Sequence, residues 1–172
     1  MKRYLTSSIL VAALAVSACT NPARFGSDGA GGAAAGAGAG GIVPGSANDP
    51  ASTAYFQQTV GDRVLFEVDQ SNLTPVGQAT LDGQAAWLLS NSDYQAVIEG
   101  HADEQGTREY NLALGARRAN AAQEYLISKG VPAQRLRVIS YGKERPIEVC
   151  SNEACYAKNR RAVTVLAGGL TS

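Results

Sequence analysis

The run Glu99-Gly100-His101-Ala102-Asp103, with Gly106 and then Tyr110-Asn111-Leu112-Ala113-Leu114-Gly115-Ala116-Arg117-Arg118-Ala119, holds the residues best equipped for chemistry in this chain. The carboxylate of Asp103 can accept from an ammonium group, and the guanidinium of Arg118 offers a planar fork to a carboxylate. The two together suit a small zwitterion of amino-acid type, whereas a neutral sugar would need neither charge. On a helix, about 100° per residue puts Asn111, Leu114 and Arg118 on one face and turns Arg117 toward solvent. Two other readings use the same residues. Asp103 and Arg118 would pair only with each other and fix a loop, an interaction that typically contributes about 0–1 kcal/mol at a surface. Alternatively, His101 and Asp103 would form the acid-base pair of a hydrolase. No serine or cysteine partner completes a triad with His101. It is the single histidine of the chain and no second cysteine pair exists, so no metal site is expected, and no cofactor is expected either.

Positioning these groups requires a strand before Asp103 and a helix after it. Gln95 to His101 contains the apolar run Ala96-Val97-Ile98 of a buried strand. The helix after Gly106 has a core stripe of Leu112, Gly115, Ala119, Ala122 and Leu126, whose small members allow close packing, and it stops at Gly130 and Pro132. Upstream, Val64-Leu65-Phe66 reads as a strand leading into Glu67-Val68-Asp69, where Asp69 is either a site residue or a loop cap. Thr74-Pro75 opens a helix whose stripe is Leu81, Ala85, Leu88 and Leu89, extended by Trp87, and which ends near Asn91. Leu136 and Val138 alternate with Arg135 and Arg137 as a third strand, and Ala162 to Leu166 forms a fourth. The order predicts an α/β two-layer sandwich, a mixed four-stranded sheet covered on one face by helices that cross between parallel neighbours. Gly142 to Asn159 carries no clear pattern.

The rest of the chain bounds compartment and partners. Fifteen basic and fifteen acidic residues cancel, so no net field draws in nucleic acid. Lys2 and Arg3 precede a short apolar run, Leu5 to Val16, too short to span a membrane as an ordinary helix. It closes on Val16-Ser17-Ala18-Cys19, which resembles the lipobox of bacterial lipoproteins. That resemblance implies a signal peptide over residues 1–18 and lipidation of Cys19. A plain secretory signal cut near Ala18 is the alternative. Each buried acyl methylene contributes on the order of 0.8 kcal/mol, so several chains on Cys19 would hold firmly to a membrane. Thr20 in place of an aspartate looks like the pattern for outer-membrane delivery. Residues 19–52, glycine- and alanine-rich above all from Gly29 to Gly41, have too little to bury and read as a flexible tether reaching roughly 30 Å. Residues 53–172 form the expected domain. In an exported, oxidising compartment the remaining Cys150 and Cys155 are expected to form a disulfide around a short loop.

Three ordered motifs carry a family resemblance. Gly100-His101-Ala102-Asp103 with Gly106, Tyr110-Asn111-Leu112-Ala113-Leu114 and Arg117-Arg118-Ala119 resembles the signature of the OmpA-like peptidoglycan-binding domain. Leu65-Phe66-Glu67-Val68-Asp69 is similar to the family's opening strand motif, with Glu67-Val68-Asp69 where Asp-Phe-Asp is more usual, and Asn159-Arg160-Arg161-Ala162-Val163 to its closing one. With lipobox and tether, the chain is similar to the lipoprotein members of that family. The resemblance implies a non-enzymatic domain, facing the periplasm from a lipid anchor in the outer membrane. Its ligand would be the diaminopimelate of peptidoglycan stem peptides. The ligand carboxylate would meet Arg118 and its charged side end Asp103, with Phe66, Asp69, Asn111 and Leu114 shaping the pocket. TolB and the Tol complex are the implied protein partners. A wall-binding lipoprotein outside the Tol system, or a hydrolase of wall peptides, are the alternatives.

Overall fold

The computed structural model describes residues 42–149 and 151–168. The leader, Cys19, most of the tether and Cys150 lie outside the described residues. The chain runs through α1 (Thr53–Tyr55), continued as a π-helical turn (Phe56–Gly61), then β1 (Arg63–Leu65), α2 (Pro75–Ser90), β2 (Tyr94–His101) and α3 (Arg108–Ser128). A 3-10 turn (Ala133–Arg135), β3 (Leu136–Gly142), α4 (Glu153–Asn159) and β4 (Arg161–Gly168) follow.

Local chemistry sets the element ends. The Thr74 side chain accepts from Gly77 N–H at 3.0 Å with Pro75 in the first turn of α2, and Thr107 accepts from Tyr110 N–H at 3.2 Å to start α3. At the other end of α3, Gly130 takes a left-handed φ of 99°, and Val131 N–H reaches back to Leu126 O at 3.1 Å. This is the glycine-dependent stop that a side chain at Gly130 would strain. Asn152 caps α4 by accepting from Cys155 N–H. Cys155 is buried there and disulfide-bonded.

The sheet order is β1-β4-β2-β3. β2 and β3 are parallel, joined by the α3 crossover, while the C-terminal strand β4 lies between β1 and β2 and is antiparallel to both. The expected mixed four-stranded sheet is therefore present. The first crossover, α2, links two strands that are parallel but not neighbours, because β4 fills the gap between them. Val64, Ala96, Ile98, Leu136 and Ala162 of the sheet pack with Leu81, Ala85, Leu88, Ala119, Ala122 and Leu126 of the two long helices in one core.

Several details depart from expectation. Leu89 and Leu112 are about half exposed, not core. Each lies at the edge of its helix stripe, and their neighbours Leu88 and Leu114 take the buried positions instead. Arg135 sits in the 3-10 turn, where its guanidinium donates to Leu88, Asn91 and Tyr94 carbonyls and ties the α2–β2 loop to the start of β3. Residues just before 53 also make tertiary contacts. Trp87 Nε1–H donates to Pro50 O at 2.7 Å, and Tyr94 hydroxyl to Ala51 O at 3.2 Å, so aromatic donors recruit the preceding segment onto α2.

Candidate functional site

Asp103 follows the C-terminal end of β2, and Asn111, Leu114 and Arg118 share the inward face of α3, all nearly or fully buried, while Arg117 is exposed. The expected helix face is the observed one. A cleft of about 280 Å³ opens there, lined by Val68, Asp69, Asp103, Gln105, Gly106, Tyr110, Asn111 and Leu114. It brings together four of the six expected ligand residues. The other two are placed differently. Phe66 is buried and lines a separate groove of about 520 Å³ along β1. Arg118 is fully buried and does not line the cleft.

Arg118 and Asp103 do not pair with each other. Arg118 donates from Nε to Gln70 O at 2.8 Å, from Nη1 to His101 O at 3.0 Å and from Nη2 to Glu67 O at 3.1 Å, with the Phe66 ring 5.3 Å from its guanidinium carbon. A single side chain thus bolts the segment after β1 to the end of β2. Burial pulls the Arg118 pKa down to about 10, opposed by the nearby Asp103 and Asp69 charges, so it remains a cation at neutral pH. Asp103 instead accepts from Arg160 Nη1 at 3.2 Å and from Gln105 N–H at 3.2 Å. Arg160 is the partner of Asp103 that residue spacing did not reveal. Its place in the closing motif was the available signal, but only the fold brings it to a residue 57 positions away.

The remaining groups shape the cleft. Asn111 donates from Nδ2 to Gln105 O at 2.7 Å and Asp103 O at 3.3 Å, holding the loop that presents Asp103. Lys143 donates to Gly106 O at 2.7 Å and braces that loop from the β3 side. Asp69 adopts a left-handed φ of 58° and accepts from the Tyr110 hydroxyl, so it serves both as loop residue and as part of the cleft. The cleft therefore presents two carboxylates, with the N-terminal turn of α3 on one side and the buried Arg118 charge close by. Helix N-termini favour negative groups, so one cavity offers separate attraction to an ammonium and to a carboxylate.

His101 does not form an acid-base pair with Asp103. Both of its ring nitrogens are buried and lack hydrogen-bond partners, and Glu99 stands 3.7 Å from Nε2. Burial, then the Arg161 and Arg145 charges, push its pKa down to about 4. Its folded pKa lies below the ordinary value of 6.5, so the unfolded chain takes up the proton first as pH falls. His101 therefore adds stability above pH 6.5 that is lost between 6.5 and 4. Urea titrations across this window are expected to show a fall of about 3 kcal/mol that His101→Gln removes. An equal slope in the variant would assign the fall to other groups.

This mixed sheet and cleft define a small α/β domain with a polar cleft at the C-terminal end of β2, and comparison with known proteins gives its family. The OmpA family model matches residues 65–160, and the chain belongs to that family, in its peptidoglycan-associated lipoprotein branch. It is 52% identical to the peptidoglycan-associated lipoprotein of Rhizobium meliloti (strain 1021) over 92% of this chain and 85% of that one. Its structure resembles the crystal structure of the peptidoglycan-associated lipoprotein from Burkholderia pseudomallei, with a TM-score of 0.63 and 37% identity, covering 70% of this chain and 98% of that one. The C-terminal domain of Helicobacter pylori MotB shares the fold at a TM-score of 0.58 and 21% identity, over 62% of this chain and 84% of that one. Among the described residues no helix is long and apolar enough to cross a membrane.

Proposed function

We propose that this protein is a non-enzymatic anchor that holds the peptidoglycan wall to the outer membrane. Its domain takes the diaminopimelate of stem peptides into the cleft between Asp69, Asp103 and the N-terminal turn of α3. The observation that carries this reading is the pair of cleft carboxylates beside a helix N-terminus, with a buried cation behind them. The ammonium of the ligand goes to Asp103 and Asp69. Its carboxylate goes toward the α3 turn, on the side favoured by the Arg118 charge. Leu114 and Val68 supply apolar contact for the methylenes between the two charges. Relatives named peptidoglycan-associated lipoprotein support the ligand class. Lipid on Cys19 and the glycine- and alanine-rich tether supply the second attachment. Two attachments joined by a tether gain from effective concentration, so even a modest wall affinity serves. TolB of the Tol complex is the proposed protein partner.

The test is calorimetric titration of the detergent-solubilised chain with a diaminopimelate-containing stem peptide. Asp103→Ala is expected to weaken binding by about tenfold or more, the value of one charge-assisted contact. Unchanged binding in both Asp103→Ala and Arg118→Ala would overturn the assignment of the cleft. Prolonged incubation with muropeptides is expected to leave them intact, whereas new fragments would favour the hydrolase. Retention on immobilised TolB supports the Tol assignment, and its absence would leave a wall-binding lipoprotein outside that system.

A further inference from the structure

Asp103 does not stand alone in the cleft wall. Arg160, 4% exposed, reaches it from the junction of α4 and β4. The same guanidinium donates from Nε to Phe66 O at 3.2 Å and from Nη2 to Glu153. Its backbone N–H continues α4 by donating to Tyr156 O, and its carbonyl accepts from Phe66 N–H at 3.0 Å. The preceding residue acts in parallel. Asn159, fully buried, donates from Nδ2 to Glu104 Oε1 at 2.6 Å and to Glu148 O at 2.8 Å, and its Oδ1 accepts from Ile147 N–H at 2.8 Å. Two consecutive residues at the end of α4 therefore clasp two consecutive residues of the cleft loop.

We propose that Arg160 is a positioning residue for ligand binding, fixing the Asp103 carboxylate so that it meets the ligand's ammonium group. This rests on the proposed function above and adds a residue that need not touch the ligand. One Asp103 oxygen is held by Arg160 and the other by Gln105 N–H, so the carboxylate plane is set by the protein before any ligand arrives. Ordering a charged side chain in advance removes that cost from binding. Arg160 is itself held by Phe66 and Glu153, so its fork cannot swing out. A lysine there keeps the charge but loses the planar, multiply bonded hold.

The experiment is a double-mutant cycle on the full chain in detergent, titrated with the diaminopimelate stem peptide and with the same peptide acetylated on its side-chain amine. Arg160→Lys is expected to weaken binding of the free-amine peptide by about tenfold while leaving the acetylated peptide within about twofold of wild type. In an Asp103→Asn background the same substitution is expected to cost less than about twofold, because the group it positions is gone. Equal losses in both backgrounds, or for both peptides, would overturn the positioning role and leave Arg160 a structural residue. If Arg160→Lys fails to fold by circular dichroism, Glu153→Gln carries the same cycle from the exposed end of the network. A loss confined to the Asp103 background and the free amine supports the proposal, and no loss or an additive one overturns it. Wild-type protein that fails to bind the free-amine peptide would overturn the functional reading, and this inference with it. Wild-type binding with an additive cycle overturns this inference alone.

Discussion

Gly100→Ala is expected to lower the unfolding free energy by at least about 3 kcal/mol, and the melting temperature by roughly 10–20 °C. A β-carbon at Gly100 would stand 1.8 Å from Gly115 O, 2.6 Å from Gly115 C and 3.0 Å from Ala119 Cβ. The first two atoms are backbone of α3, so no rotamer change relieves the overlap and strand and helix must separate. They are also the elements that carry Asp103 and Arg118, so separation opens the cleft as well as the core. Gly115→Ala tests the argument from the other side. Its β-carbon would meet Ser140 Oγ at 2.5 Å, which can rotate away, and Gly100 O at 2.9 Å and C at 3.2 Å, a backbone overlap that remains but is much smaller than the one at Gly100. Differential scanning calorimetry is expected to rank Gly100→Ala as clearly the more damaging. The reverse order would refute the depth of backbone overlap as what sets the ranking.

Arg118→Met is expected to destabilise the protein by about 3–5 kcal/mol and to abolish stem-peptide binding, a loss beyond about 100-fold. Methionine fills much of the volume, so the cost is not chiefly a cavity. It comes from leaving the carbonyls of Glu67, Gln70 and His101 without their donor in a buried setting. The segment from Glu67 to Gln70 contains Val68 and Asp69 of the cleft wall, so its release costs binding through lost order. Arg118→Lys keeps the cation but cannot span three carbonyls in different directions. It is expected to recover part of the stability and little of the affinity. Urea unfolding with parallel calorimetric titration reads both quantities. Wild-type affinity in Arg118→Met would show that neither its charge nor its brace matters to the ligand.

Much of the scaffold was legible because it rests on local rules. Thr74-Pro75 opens α2, and Gly130 followed by Pro132 ends α3. The helical period put Asn111, Leu114 and Arg118 on one face and Arg117 on another, as found. Asp69 illustrates where local reasoning divides. Its left-handed backbone makes it a loop residue, and the same loop places it in the wall of the cleft. The segment before β4 had no pattern to read, because α4 is only seven residues long and is held by its Asn152 cap and by long-range contacts of Asn159 and Arg160.

The sequence by itself determined which residues carry charge at the strand end and helix face, where the long helices start and stop, and the mixed α/β class, since all of these follow from spacing and backbone preference over a few residues. Tertiary structure alone decided who holds whom. β4, last in the chain, inserts between β1 and β2 and delivers Arg160 to Asp103, while Arg118 is spent on three backbone carbonyls. Pairing between charges depends on which segments the fold makes neighbours, and a buried guanidinium takes whatever acceptors surround it, so residue type and spacing could not fix either partner.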